Sequence, residues 1–187
     1  MKKTVLYVLG GLLALGVLAS MCDSGETSEG STNDSIAKPA STSQKTWTVQ
    51  TSTDEMRGTK DTFATLESDN EAEFEFPYAG GSTLKFTVRK TAKFGTGVLL
   101  SIHPGQFNST GLEGSDYVTI KFDDGPLKKY HYNVSGSGDM DVIFLKKEQE
   151  LISKLKTAKK IMVEATFFQE GVEQFTFTVD KPLEWDL

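Results

Sequence analysis

The sequence predicts a mainly β (α+β) fold, an antiparallel β-sandwich-like domain of about nine strands with one helix in its C-terminal half. Three observations predict it. Apolar and polar residues alternate in many short segments of residues 45–187, glycine-containing loops separate several of these segments, and only one segment has helical spacing. Several short strands followed by a late helix are typical of antiparallel sheets packed face to face, with the helix covering an edge or an end.

The first predicted hairpin joins residues 72–78 to residues 84–89. In the first segment apolar side chains alternate with glutamates, and in the second they alternate with lysine, threonine and arginine. A loop at 79–81 aligns apolar with apolar positions and sets Glu75 opposite Lys85, an opposite-charge pair across two strands. The sequence therefore predicts that these two segments pair with each other, with Glu71 opposite Arg89 as well.

A second predicted hairpin has its loop at 124–126. This loop sets Val118 opposite Tyr132 and Ile120 opposite Tyr130. A slip of one residue would turn either apolar row toward water. Further strand candidates with the same alternation are residues 46–51, 59–66, 98–103 and 141–145.

A third predicted hairpin has its loop at 169–171 and sets Val163 opposite Phe177. Gly171 stands where a type I turn followed by a bulge requires a positive φ. Between the second and third hairpins, residues 147–159 carry leucine, isoleucine and alanine at helical spacing. Two glutamates lie in the first turn and lysines lie at the end, as the helix dipole favours.

The amino terminus has a pattern of its own. Lys2 and Lys3 precede an uncharged apolar run, Val5–Ala19, which is too short for the ~20 residues of a spanning helix. The only cysteine, Cys22, follows directly. Residues 1–21 resemble a bacterial lipoprotein signal peptide, and the resemblance implies that Cys22 is lipidated and becomes the first residue. Met21 departs from the pattern, because Gly, Ala or Ser usually precedes the cysteine.

Two other interpretations of the amino terminus stay open: a secretory signal cut after Ser20, and an uncut anchor. Lipidation at Cys22 is the expectation, since a multiply acylated cysteine holds a protein firmly to a membrane. Residues 22–44 then form the lipidated cysteine and a flexible linker, because 11 of the 22 residues after the cysteine are Ser, Thr or Gly. A coil of that length reaches ~25 Å.

These features predict a module anchored by lipid to the cell membrane or the outer membrane, on the extracytoplasmic side. The formal net charge of −6 argues against a nucleic-acid partner. The membrane, through the lipid on Cys22, is one expected partner. A protein or a glycan of the envelope is another.

Motifs that carry chemistry are missing from the sequence. A single cysteine excludes an internal disulfide framework, and the chain has no Gly-x-Ser-x-Gly elbow, phosphate-binding loop or His-Glu-x-x-His. We therefore predict no catalytic residue, no metal site and no cofactor. The alternative is an envelope hydrolase in which His103 or His131 acts as a base, with Ser101, Ser109 or Asp116 nearby. Asp123-Asp124 and the pair Asp139 and Asp141 have oxygens that suit calcium, but turns explain them more simply.

One sheet face is the candidate binding surface. In the predicted register of the second hairpin, six polar or aromatic side chains lie opposite the apolar row, and such a face suits a protein or glycan partner. A solvated sheet face explains the same pattern. The six residues are Tyr117, Thr119, Lys121, Lys129, His131 and Asn133. Met162 and Phe168 also alternate with apolar core positions, which indicates either burial on both faces of the sheet or an exposed contact patch.

Four segments resemble one family of envelope domains. They are Trp47 with Thr53-Asp54-Glu55-Met56, residues 117–125 (YVTIKFDDG), the helix and strand of residues 151–161, and residues 171–185 with a Phe-x-Phe strand. Together they resemble the TagO-like proteins associated with type VI secretion. This resemblance implies an accessory module of the envelope. Relatives often have a cysteine in the strand that resembles residues 84–89, and this chain has none there.

The function predicted from the sequence is a lipid-anchored, non-enzymatic binding or accessory module of the bacterial cell envelope. An envelope hydrolase with a histidine-centred site and an inhibitor, immunity or exclusion lipoprotein are the alternatives.

Overall fold

The computed structural model describes residues 45–112 and 114–185. The predicted signal peptide, Cys22 and the linker lie outside the described residues. The described chain forms nine strands and one helix, which confirms the predicted fold class. In chain order they are β1 (Thr48–Asp54), β2 (Thr59–Glu67), β3 (Thr83–Thr91), β4 (Gly95–His103), β5 (Tyr117–Phe122), β6 (Lys128–Val134), β7 (Val142–Leu145), α1 (Glu148–Leu155), β8 (Lys160–Phe167) and β9 (Gly171–Thr178).

All nine strands belong to one antiparallel sheet with the order β1-β2-β3-β4-β7-β6-β5-β8-β9. Phe86 of β3 and Phe177 of β9 lie six positions apart in this order, yet their ring centroids are 5.1 Å apart. The sheet therefore folds back over itself and encloses the core. The expected sandwich-like packing is present, but one continuous sheet forms both layers, where two separate sheets were expected.

The core is filled by alternate residues of the strands that face inward. Leu84, Phe86 and Val88 of β3 are fully buried, and Phe175 and Phe177 of β9 are buried opposite them. Burial of one large apolar side chain contributes ~1.5–3 kcal/mol to folding. In β3 the residues between them, Lys85, Thr87 and Arg89, face outward and form a polar row on the outer surface.

The helix is shorter than expected. It begins after Lys147, whose φ of 65° is left-handed, and ends at Leu155. Leu151 and Leu155 are buried in the core, while Ala158, also buried, lies beyond the helix. Glu148 and Glu150 occupy the first turn as predicted, so the acidic groups lie at the positive end of the dipole.

The hairpin predicted between residues 72–78 and 84–89 is wrong. β3 pairs instead with β2 and β4, and Lys85 lies opposite Glu67 with an ion-pair distance of 3.0 Å. Residues 72–78 contain no strand. A turn forms there, in which the Tyr78 N–H donates to the Glu75 carbonyl at 2.8 Å, and Pro77 has no N–H for a ladder.

The other two hairpins are confirmed, but both registers differ from the predicted ones by two residues. Val118 lies opposite Tyr130, and Val163 lies opposite Phe175. Because side chains alternate with a period of two, a shift of two leaves every residue on its predicted face. Gly171 has a φ of 80°, which confirms the predicted positive value.

The two edges of the sheet differ. The segment after β2 covers the outer edge of β9: the Asp69 N–H donates to the Thr176 carbonyl at 2.6 Å, and the Thr178 N–H donates to the Asp69 carboxylate at 2.7 Å. The Thr176 N–H donates to the Asn70 side-chain oxygen at 2.8 Å. At the other edge, β1 pairs with β2 alone among the strands of the described chain, and its residues from Thr48 to Thr53 are exposed.

Candidate functional site

The β5–β6 hairpin assembles the predicted binding surface on the outer face of the sheet. Tyr117 lies directly opposite His131, and Thr119 lies opposite Lys129. All four side chains point away from the core because their neighbours along each strand are buried. The six residues predicted from the sequence share this outer face, which we call the β5–β6 face: Tyr117, Thr119, Lys121, Lys129, His131 and Asn133.

A cation and two rings meet at the centre of the β5–β6 face. The Nζ of Lys129 lies 3.9 Å from the ring centroid of Tyr117, within the range of a cation–π contact. The Tyr117 and His131 rings meet edge to face with centroids 6.1 Å apart. The His131 Nδ1–H donates to the Asp116 carbonyl at 3.2 Å, which fixes the orientation of the imidazole. With 42% of Tyr117 exposed, the cluster is held in place and accessible to solvent.

A second cation–aromatic cluster lies on the same face of the sheet, and the sequence analysis did not identify it. The guanidinium carbon of Arg89 lies 5.1 Å from the ring centroid of Phe94 and 5.1 Å from that of Phe144. Phe63 of β2 pairs with Arg89, and the Lys93 Nζ lies 4.8 Å from the Phe94 centroid. We call Arg89, Phe94 and Phe144 the Arg89 clamp.

Arg89 has a different environment from the predicted one. The sequence set Glu71 opposite it, whereas its neighbours across the ladder are Phe63 and Gly97. No acidic side chain of the described residues forms an ion pair with Arg89, and its buried Nε has no hydrogen-bond partner. The alternation in residues 84–89 places Arg89 on the polar face; Phe94 follows on the next loop, whereas Phe144 comes from a distant part of the chain.

The two histidines lie in different surroundings. His103, at the end of β4, lines a shallow cavity together with Asp139 and Asp141. His131 lies on the β5–β6 face, where its ring contacts Tyr117 and the Asp116 carbonyl. No hydrogen bond within residues 45–112 and 114–185 joins them.

Ser109, Asp116 and His131 lie close together, as the hydrolase alternative required. Their hydrogen bonds, however, do not connect the serine hydroxyl to the histidine as nucleophilic catalysis requires. The Ser109 hydroxyl donates to the Asp116 carboxylate, and His131 contacts only the backbone carbonyl of Asp116. A serine nucleophile needs its hydroxyl bonded to the base itself. No such contact joins Ser109 to His131 in the described part of the chain.

Asp116 stabilises the loop that precedes β5. Its carboxylate accepts hydrogen bonds from the Thr110 N–H at 3.1 Å, from the Thr110 hydroxyl at 2.8 Å and from the Ser115 hydroxyl at 3.3 Å. Burial raises the pKa of Asp116, but the hydrogen bonds from Ser109, Thr110 and Ser115 outweigh it, so the pKa is lowered. A carboxylate held ionised by so many donors is a structural element of the loop.

The paired aspartates lie in loops, with Asp123 and Asp124 in the turn after β5 and with Asp139 and Asp141 in the segment before β7. Asp123 accepts hydrogen bonds from the backbone N–H groups of Lys159 and Lys160, both at 2.9 Å. Asp139 accepts a hydrogen bond from the Ser137 hydroxyl at 2.5 Å. The described residues contain no group of three or more His, Cys, Asp and Glu side chains that suits a metal ion.

The two alternating apolar residues of β8 and its loop have different exposures. Met162 is half-buried on the outer face, whereas 47% of Phe168 is exposed at the β8–β9 loop. Val172, at the start of β9, is exposed near it. Phe168 therefore belongs to the surface, as the contact-patch interpretation requires.

The single helix of the described region, α1, has eight residues, and no helix described by the structure has the length and apolar character needed to cross a membrane. No family model, curated protein or solved structure matches this chain.

Proposed function

We propose that this protein is a lipid-anchored, non-enzymatic binding module of the bacterial cell envelope, and that its partner docks on the β5–β6 face. The observation that supports the proposal is the ordered cluster of Tyr117, Lys129 and His131 on this exposed face. Aromatic rings beside a cation supply large contact area together with directional polar contacts.

The amino-terminal sequence supports the anchor. The features of a lipoprotein signal are present: two lysines at the start, the apolar run Val5–Ala19, and Cys22 three residues after the end of that run. A linker rich in serine, threonine and glycine lets a folded domain reach partners near the bilayer while the lipid holds the chain at the surface. The resemblance to TagO-like proteins stays a prediction and agrees with an accessory role in the envelope.

The anchor is tested by Cys22→Ala in the native host. We expect the variant to lose its acyl chains and either to leave the membrane fraction as a soluble protein or to stay there with its signal peptide uncut and without function, whereas Ser24→Ala is acylated normally. Mass spectrometry of the wild-type protein should find an acylated Cys22 as the first residue. Full retention of Cys22→Ala in the membrane with unchanged function would contradict the anchor.

The binding face is tested by a photoreactive residue placed at Thr119 of the full-length protein, with a second protein carrying it at Gln50 of β1 as the control. We expect a crosslinked species in envelopes from position 119 only, and we expect Lys129→Ala to weaken it. Equal crosslinking from both positions, or none from position 119, contradicts the β5–β6 face as the docking surface. A single stoichiometric protein partner would favour an inhibitor, immunity or exclusion lipoprotein.

A further inference from the structure

We propose that the Arg89 clamp is a binding site for the carboxylate groups of an acidic polysaccharide. The inference deepens the proposed binding function and rests on it, because it names the chemical class of ligand that the outer face recognises. The clamp brings one guanidinium and two phenyl rings together on the outer face of the sheet.

The rings of the clamp hold the Arg89 guanidinium in place but do not neutralise its positive charge. Two phenyl rings, each with its centroid 5.1 Å from the guanidinium carbon, restrict the side chain of Arg89, and its buried Nε makes no hydrogen bond. A planar guanidinium recognises a carboxylate through two parallel hydrogen bonds, and a side chain already held in place loses less entropy when the anion binds. Lys93, beside the Phe94 ring, adds a second positive charge.

The position of the clamp favours a polysaccharide over an extended peptide. β3 and β4 are paired on both sides, so they offer no free backbone edge to which a peptide strand can add. Recognition there depends on side chains alone. An acidic sugar carries its carboxylate on the same ring as its apolar C–H face, so one sugar unit presents both groups that the clamp can contact: an anion for Arg89 and an apolar face for a phenyl ring.

The clamp is continuous with the β5–β6 face. Phe144 of the clamp pairs across the ladder with Asn133, and Leu99 and Phe144 bridge β4 and β7 between the two clusters. Three strand spacings separate β3, which carries Arg89, from β6, which carries Lys129, and this is about 14 Å at ~4.8 Å per strand. A polymer with a carboxylate on each unit is long enough to engage both Arg89 and Lys129.

The test measures binding of polygalacturonate to the full-length protein in detergent micelles by isothermal titration calorimetry. Arg89→Lys keeps the charge and removes the fork of donors, and we expect it to weaken binding about tenfold. Phe94→Ala removes one wall of the clamp and is expected to weaken binding by about threefold to tenfold. Binding should also weaken as ionic strength rises.

Matched controls exist in the chain. Arg57→Lys changes an arginine that is ion-paired with Asp54 at 2.8 Å, and Phe76→Ala removes a phenyl ring that is 91% exposed. Both controls should bind as the wild type does. Thermal unfolding of each variant verifies that the fold is intact.

Three results would overturn the proposal: no binding of polygalacturonate to the wild type, wild-type affinity in Arg89→Lys and Phe94→Ala, or equal affinity for poly-glutamate or for the methyl-esterified polymer. None of these results affects the crosslinking test at Thr119. Failure of the Arg89 site and failure of the β5–β6 face are therefore distinguishable.

Discussion

The phenolic hydroxyl of Tyr130 donates a hydrogen bond to the Oε1 of Glu150 at 2.9 Å and so joins the inner face of β6 to the first turn of α1. The Lys128 Nζ lies 2.5 Å from the same oxygen. Burial and the Glu150 carboxylate raise the pKa of Tyr130, and hydrogen bonds from Lys128 and Tyr130 lower the pKa of Glu150. Tyr130 is itself buried, so this contact links the core to the helix.

Tyr130→Phe removes the hydroxyl and keeps the ring. We expect a loss of about 1 kcal/mol in the free energy of unfolding, because a hydrogen bond to a charged acceptor is removed and no large cavity forms. Urea denaturation followed by circular dichroism measures the difference. Tyr117→Phe, on the outer face, is the control and should unfold at the wild-type midpoint. A wild-type midpoint for Tyr130→Phe would show that the link to α1 contributes nothing to stability.

The lowered pKa of Glu150 gives stability a predictable dependence on pH. Because the folded-state pKa lies below the unfolded value, the contribution of Glu150 is fully present above the unfolded value, near 4.5, and is lost as pH falls through the folded value. Glu150→Gln should therefore lose stability at neutral pH and show a smaller further loss on acidification than the wild type does. Parallel urea titrations at neutral and acidic pH measure this; identical pH dependence in both proteins would contradict the assignment.

Phe177→Ala is expected to cost about 3–5 kcal/mol, because it empties a fully buried site where the two layers of the folded sheet meet. Phe168→Ala, which removes a ring that is largely exposed, should change stability by no more than about 0.5 kcal/mol. Chemical denaturation of the two variants side by side makes the comparison. Equal effects would mean that the contact between β3 and β9 does not hold the layers together.

Gly171→Ala should destabilise the β8–β9 hairpin by roughly 1–2 kcal/mol, because alanine is strained at a φ of 80°. Gly136→Ala is the matched control, since an added Cβ meets no atom there and the backbone does not have a positive φ. Thermal unfolding of both variants measures the difference. Equal midpoints for both variants would show that the turn tolerates a side chain.

Apolar alternation and turn chemistry correctly predicted the features that depend on residues close together in the sequence. The alternation of apolar residues identified both outer and inner rows of β5, β6, β8 and β9, and the turn chemistry identified the positive φ of Gly171. The registers were wrong by two because apolar matching distinguishes only odd from even shifts. Loop geometry decides between registers that differ by two.

The same patterns did not predict which strands pair when they are far apart in the sequence. Residues 72–78 alternate as a strand does, but β2 occupies the edge of β3 that they were expected to fill. Because the predicted hairpin set Glu71 opposite Arg89, the sequence indicated an ion pair there and not the clamp. The two rings of the clamp lie on the β3–β4 loop and on β7. Phe94 is close to Arg89 in the chain, but the contact between Arg89 and Phe144 joins segments far apart in sequence and leaves no periodic signal.

The unequal protection of the outermost strands limits how copies of this domain can associate by strand addition. Asp69 and Asn70 block one side of the sheet, so among the described residues only the Thr48–Asp54 side has backbone groups available to another strand. Two molecules joined through that side would bury their sole accessible strand and leave none for a third. Growth by this route stops at a pair.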